Sequence, residues 1–589
     1  MHLARVEAEV STQSRPLRRP VRSAVQTMAQ TVRTASRHTF KFALAAAVIT
    51  SIAGCGNNYR PVVTAISPVG PAAQPQKFAV AISSTDTATV DTTATFSSGA
   101  SSITVSSVTG IVSGQLVAGP GIASGTTVSG PPSGTTVNLS SPTTAAGSGT
   151  TVVFTAPGPG LLTFVDFSGD TILITANVGV NPYYLILNNT TTTSTTSTAS
   201  TGFTLNSDRT LTSFDIDTTL LTSQVLQSTL PPNACPLAIF PEGVSTYITN
   251  SATNPGPCAS TTTGGPNAVF QFGGSPLNLQ QQLVIDPAFS PIYTVGVISA
   301  PRVYAISQSN SGGLGQVSTI ETATNTVDPN PIPVGHGPVY GIMTGDASSA
   351  AKRAFILNQI DGTVSVIDAQ TNALDAVPAP ATNPIVVGTN PLWADSAPVR
   401  NEIVVANAGD GATPGSVSII SVPLCSATAQ PNNPNCDLTN PIDAIGFGTV
   451  IANVPVGINP VMIGVLQDAT NSRAYVVNGG LAGVPCGPAT STQPANCTVS
   501  VINLTTNTVT ATIPLVSTPV VTATSTSPAT PIANGHPNYI AVTSGTPTGK
   551  VYVTSPESNF MTVIRTDIDA VDTTVPLQGK GVSVRVTAP

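Results

Sequence analysis

An all-β fold built from repeated short strands is predicted by three observations: scarce charge, abundant β-branched residues between turn-formers, and a strand-and-turn pattern that recurs along most of the chain. Only 8% of the 589 residues are charged, where about 25% is usual. Gly and Pro number 50 and 52. Exposed helix faces draw on Leu, Glu, Lys and Arg, whereas short strands draw on Val, Ile and Thr with Gly, Pro and Asn between them. Helical bundles and coiled coils are therefore excluded.

The first segment reads as an address. From Met1 to Gly54 eight Lys/Arg face two acids, Glu7 and Glu9, and the segment ends in a 13-residue, mostly apolar run, Phe42 to Gly54. A basic opening, a short apolar run and small residues at its exit make a secretory signal, and the run is too short to span a bilayer stably. Ile52-Ala53-Gly54-Cys55 resembles the lipobox of bacterial lipoproteins. That resemblance implies that residues 1–54 are a lipoprotein signal peptide, that Cys55 is lipidated and becomes the new N-terminus, and that 55–76 is a tether. Met28 is an alternative start. Gly56, rather than Asp, implies the outer membrane by the sorting rule of some Gram-negative bacteria. Removing the signal leaves 12 basic and 25 acidic residues, a net charge of −13, with no electrostatic footprint for nucleic acid.

The mature chain repeats itself. Gly315 to Asn325, Gly362 to Asn372 and Cys497 to Asn507 are copies of one strand and its turn, the latter two sharing Thr-Val-Ser-Val-Ile. A strand precedes each, at Arg302, Arg353 and Arg473, and a third strand with a Gly-x-x-Pro turn follows, as at Gly335 to Pro338, Gly388 to Pro391 and Gly457 to Pro460. A fourth strand follows the turn. Four short strands per unit is the signature of a propeller blade. Marker strands fall at Phe78, Gly202, Ser245, Arg302, Arg353, Glu402, Arg473 and Lys550, predicting an eight-bladed β-propeller, or a seven-bladed one if Gly202 to Leu205 is no true unit. A last strand, Gly581 to Val586, is placed to complete the first blade from the C-terminus and so remove open sheet edges. The units resemble the YVTN family of β-propeller repeats, nearest at Lys550-Val-Tyr-Val-Thr554 and Arg473-Ala-Tyr-Val-Val-Asn478. The resemblance covers residues 77–84 and 160–589. It implies a secreted or surface protein acting mostly by binding; related propellers include lactonases and quinone-dependent dehydrogenases.

Residues 85–158 interrupt the first blade with regular Val, Ile and Leu alternation, predicting a small inserted β module, with a Ser/Thr-rich loop as the alternative. Thr190 to Thr201 has no apolar period and reads as a mobile loop. After Cys55, six Cys remain as near neighbours, Cys235 and Cys258, Cys425 and Cys436, Cys486 and Cys497, predicting three loop disulfides. No C-x-x-C pair or His near them in sequence supports a metal site.

Candidates for chemistry are few. His336 and His536, the two histidines of the mature chain, both lie at inter-blade turns and are the rim candidates, expected on one rim three blades apart. Glu321, Asp368 and Asn503 share a repeat position that suits closing a hairpin turn. Asp567-Ile-Asp569-Ala-Val-Asp572 lacks the calcium-loop spacing. Trp393, the single Trp, reads as blade core, with sugar stacking as the alternative. No nucleophile elbow, phosphate loop or haem motif appears, so no catalytic residue, metal or cofactor is assigned. The expected function is a lipid-anchored binding or scaffold protein of the bacterial envelope, engaging protein or glycan. The alternatives are a metal-dependent lactonase-like hydrolase and a surface adhesion or structural protein.

Overall fold

The computed structural model describes residues 77–587, apart from 124–125, 191–197, 217–224, 232, 255, 257–264, 298–300, 345–352, 378–379, 424–443, 445, 483, 485, 488–494, 516–535 and 547. The predicted signal, Cys55 and tether lie outside them. Within them the chain is all-β and propeller-like, with 39 strands and one short 3-10 turn at Pro398–Arg400. None of the described helices is long and apolar enough to cross a membrane.

Eight antiparallel sheets follow one another along the chain. We number them I to VIII by their innermost strands: Lys580–Val586, Pro182–Thr190, Pro236–Glu242, Phe289–Val297, Pro338–Thr344, Pro391–Ala397, Pro460–Val465 and Tyr539–Thr543. The second strands are the eight marker strands predicted from sequence, including Thr198–Asn206, which begins inside the Thr/Ser tract expected to be a loop. Arg353–Asn358 and Glu402–Asn407 are buried at every position. Simple alternation fails there because a middle strand has a neighbouring sheet on each face, so both faces must be apolar. The outer strand Asn278–Val284 is exposed at all but one position and carries Gln accordingly.

One hydrophobic cluster lies between each successive pair of sheets. Phe78, Leu162 and Leu185 join I to II, Leu205 and Phe270 join II to III, and so on to Met561, Val563 and Val584, which join VIII back to I. Innermost strands pack on their neighbours in the same cyclic order, sheet I lying between VIII and II. Sheet I is itself closed by both termini: Ala79 pairs with Val586 and Ile82 with Ser583, while Ile82 also pairs with Leu162 on the other side.

Polar contacts fix the angle between sheets. On one face, the Gly of several inter-sheet turns lies against an Asn that ends the next sheet's second strand: a Cβ on Gly335, Gly388 or Gly457 would come within 2.6, 2.7 and 2.7 Å of Asn358, Asn407 and Asn478. Each Asn side chain spends its amide hydrogens on two hydroxyls of the third strand, as Asn478 does on Thr498 and Ser500, both at 2.9 Å. On the opposite face, cations opening the second strands reach the next sheet: Arg473 to Asp569 at 3.1 Å, and Lys550 to Asp170 at 2.6 Å. Arg353, 1% exposed, instead pairs with Asp368 and Asp375 of its own sheet, both at 2.9 Å.

Between the first two strands of the N-terminal part of sheet I, Asp86–Phe96, Ser102–Val105, Leu116–Ala118, Thr136–Asn138 and Gly147–Pro157 form a five-stranded sheet of their own. It buries a separate cluster that includes Phe96, Ile103, Val137 and Phe154.

Candidate binding site at the ring centre

In five of the sheets a Pro at or beside the start of the innermost strand is followed two residues later by an aromatic: Tyr184, Tyr293, Tyr340, Trp393 and Tyr539. A register shift follows that Pro in sheets III to VII, and one lies between Tyr184 and Pro182 in sheet II. Such a bulge re-aims the side chain beyond it, and it brings aromatics from separate sheets together. Tyr340 and Trp393 stack with centroids 4.1 Å apart, Tyr293 lies 4.8 Å from Tyr340, and Tyr539 meets Trp393 edge-on at 6.1 Å. The phenols of Tyr184 and Tyr293 lie near one another. Tyr184, Tyr293, Trp393 and Tyr539 keep partial exposure although protein surrounds them, as side chains facing a narrow lumen do.

Arg585, on the closing strand, completes the group. Its guanidinium lies 4.8 Å from the Tyr539 ring centroid and 5.8 Å from that of Trp393, within range of cation–π attraction. Nε donates to the Leu185 carbonyl at 3.3 Å, and among the described residues the Nη nitrogens meet no acceptor. Asp395, two residues beyond Trp393, is the carboxylate of this region. Its oxygens accept the Val465 and Ser396 backbone N–H groups at 2.7 and 2.8 Å. Burial pushes its pKa up to about 6, while those N–H groups and the Arg585 charge pull the other way. Burial likewise holds the phenols of Tyr184, Tyr293 and Tyr340 well above their ordinary range, so they stay neutral. The centre thus offers flat π faces, phenolic hydroxyls and one cation with unused donors.

The residues singled out from sequence are placed elsewhere, Trp393 excepted. Trp393 does border three of the inter-sheet clusters, but its ring belongs to the central group rather than to one blade core. His336 is held in its turn by Asp361, whose Oδ1 lies 2.9 Å from the ring Nδ1 and whose Oδ2 accepts the His336 backbone N–H at 2.7 Å. The structure does not bring His336 and His536 together. His536 lies instead beside the Cys486–Cys497 disulfide. Cys235 is also disulfide-bonded; Cys258, Cys425 and Cys436 lie outside the described residues. Asp368 and Asn503 accept the N–H groups of Gln370 and Thr505 at 2.9 and 2.8 Å, closing their hairpins. Glu321 instead takes the Arg302 ion pair at 2.6 Å. Asp567 pairs with Arg565, and Asp569 with Arg473 and Tyr475, which leaves the acidic stretch no convergent set for calcium.

Arg585, Asp395, Tyr184 and Tyr293 were not found as site residues from sequence. The Pro-x-aromatic spacing was the available signal for the tyrosines. For Arg585 the expected pairing of the last strand with the first blade gave its strand but not its approach to the aromatic rings of other sheets.

No family model and no curated protein matches the chain. Among solved structures it is similar to hydrazine synthase of Kuenenia stuttgartiensis, with 15% identity and a TM-score of 0.40, over 60% of this chain and 90% of that one. It is similar to AztD of Citrobacter koseri, with 10% identity and a TM-score of 0.42, over 73% and 95%. It is also similar to a putative 6-phosphogluconolactonase of Bacteroides fragilis, with 13% identity and a TM-score of 0.36, over 72% and 93%.

Proposed function

We propose that the chain is an exported, lipid-anchored binding protein of the bacterial envelope, built as an eight-bladed β-propeller of YVTN-like repeats, and that its ring centre recognises an acidic glycan. In this reading each of sheets I to VIII is a blade, and Cys55 carries the lipid that holds the protein to the membrane. Residues 85–158 are an inserted module, which their separate sheet and core support.

The observation that carries the ligand class is Arg585: an enclosed guanidinium with two aromatic neighbours and unused donors among the described residues. Sugar rings stack on aromatic faces, and a carboxylate offers Arg a charge-assisted, two-pronged partner. The metal-dependent hydrolase reading has less support. It needs several ligands converging from different inner strands, and among the described residues the centre supplies Asp395, both of whose oxygens are already bonded to backbone.

Trp393 is the only Trp in the chain, so its fluorescence reports on this site alone. The full-length protein in detergent, titrated with oligogalacturonate and with neutral oligogalactose, is expected to change its emission saturably with the acidic sugar. The neutral sugar should act at least tenfold more weakly, and Arg585→Met should abolish the difference. Equal responses to both sugars, or none to either, would overturn the assignment.

A further inference from the structure

We propose that Cys486, Cys497 and His536 form a thiol-gated metal site, closed as a disulfide when oxidised and open to a divalent, thiolate-preferring ion such as zinc when reduced. The observation is their convergence: both sulfurs and one ring nitrogen of His536 lie within 4.8 Å of one another, although 39 residues separate His536 from Cys497. Two thiolates and an imidazole are a common structural or catalytic set for zinc. Nδ1 of His536 stands 3.7 Å from Cys497 Sγ and donates to the Gly479 carbonyl at 2.7 Å. Metal binding through Nδ1, the nitrogen beside the sulfur, moves its proton to Nε2 and gives up the bond to the Gly479 carbonyl. That carbonyl also lies 3.4 Å from Cys497 Sγ, so an oxygen donor is present at the same spot.

The backbone shows that Cys497 is held here against preference. It has φ +63°, and Gly362, at the same position of the sibling repeat, has φ +64°. A Cβ in this conformation costs roughly 1–2 kcal/mol. The strain is tolerated at a position where the repeat itself calls for glycine, and the sulfur it places completes the triad.

The chemistry balances. A dithiol reductant transfers two electrons to the Cys486–Cys497 bond; that S–S bond breaks, the reductant's two thiols become its own disulfide, and their protons pass to the two cysteine sulfurs. A divalent ion then forms two metal–sulfur bonds and releases those two protons. A disulfide oxidant reverses this: the two thiolates give it two electrons, the Cys486–Cys497 S–S bond re-forms as the oxidant's own S–S bond breaks, its two sulfurs leave as thiols after taking up two protons from water, and the ion is released. With residue exposures of 7% and 2%, Cys486 and Cys497 are buried, which slows the exchange.

Cobalt tests this, because thiolate ligation gives it an intense charge-transfer band. Full-length protein is titrated with Co²⁺ after dithiothreitol reduction and removal of the reductant, and in parallel while oxidised. The expected result is one metal equivalent with the thiolate band in the reduced protein that the oxidised protein lacks. Reduced Cys497→Gly is expected to lose that equivalent. Glycine suits the backbone there, and this variant also subtracts any binding by the other cysteines. His536→Gln, which keeps an N–H donor for Gly479, should keep the band but bind at least tenfold more weakly. Equal binding by oxidised and reduced protein, by wild type and Cys497→Gly, or by wild type and His536→Gln, would each overturn the proposal.

Discussion

Asp395 is placed where its charge is poorly tolerated and its hydrogen bonds are needed. Each oxygen takes a backbone N–H, one of them from Val465 on the next sheet, yet burial raises its pKa to about 6. The unfolded value is near 3.9, so between roughly pH 4 and pH 6 the folded protein binds a proton that the unfolded chain has released. Stability contributed by this group is full below pH 4 and is lost as pH rises through 6, by about 2–3 kcal/mol at most. Asp395→Asn cannot titrate. Denaturant unfolding from pH 4 to 7 should show wild type losing stability relative to that variant, which starts lower because one amide oxygen replaces two acceptors. Parallel curves would remove Asp395 as a titrating group. The same residue shows where sequence reading ends: Trp393 could be recognised as unusual, but Asp395 gained meaning only when Val465 and Arg585 were found beside it.

At the scale of strands and turns, the repeats state their own rules, and most of these were legible. The recurring Gly-x-x-Pro and the strand-ending Asn marked every boundary between neighbouring units that carries them, because the same steric problem is solved each time. A flat amide must lie against the preceding turn, so that turn can carry no Cβ. Gly388→Ala would place a Cβ 2.7 Å from the Asn407 amide and 2.8 Å from Ser416 Oγ, while Asn407 is fixed by bonds of 3.3 and 3.0 Å to Ser416 and Ser418. Overpacking of this kind costs about 1–3 kcal/mol. Gly313→Ala is the control, since its Cβ would meet nothing nearer than Ser309 Oγ at 3.5 Å. Urea midpoints should fall for the first variant and stay within error for the second; two unchanged midpoints would show that the glycine is not a steric requirement. What the repeat could not announce were its exceptions. Cys497 occupies a glycine position, and its meeting with His536 joins residues 39 apart in sequence.

For the whole molecule, the decisive element is the last strand. Lys580–Val586 is innermost in sheet I, packs between the innermost strands of VIII and II, and carries Arg585 into the centre. Its position was predictable because without this last strand Phe78–Ser84 would be left as an open edge, and edges invite association with other chains. Ending the chain at Gly579 would expose Ala79, Val80 and Ala81, each now fully buried, and would remove Val584 and Val586 from the cluster joining VIII to I. The ring then loses one of its inter-sheet cores on each side of the gap, and the damage should spread, because every sheet is positioned by two neighbours. The truncated protein is expected to unfold at a lower temperature, over a broader range, and to scatter light at concentrations where the full chain stays clear. A synthetic peptide spanning residues 580–589 should restore part of the midpoint by adding itself as a strand, and should restore Trp393 emission because it returns Arg585 to the aromatic group. An unchanged midpoint without the peptide would mean that the ring is not held shut by its termini, and the central site would then have to be rebuilt without Arg585.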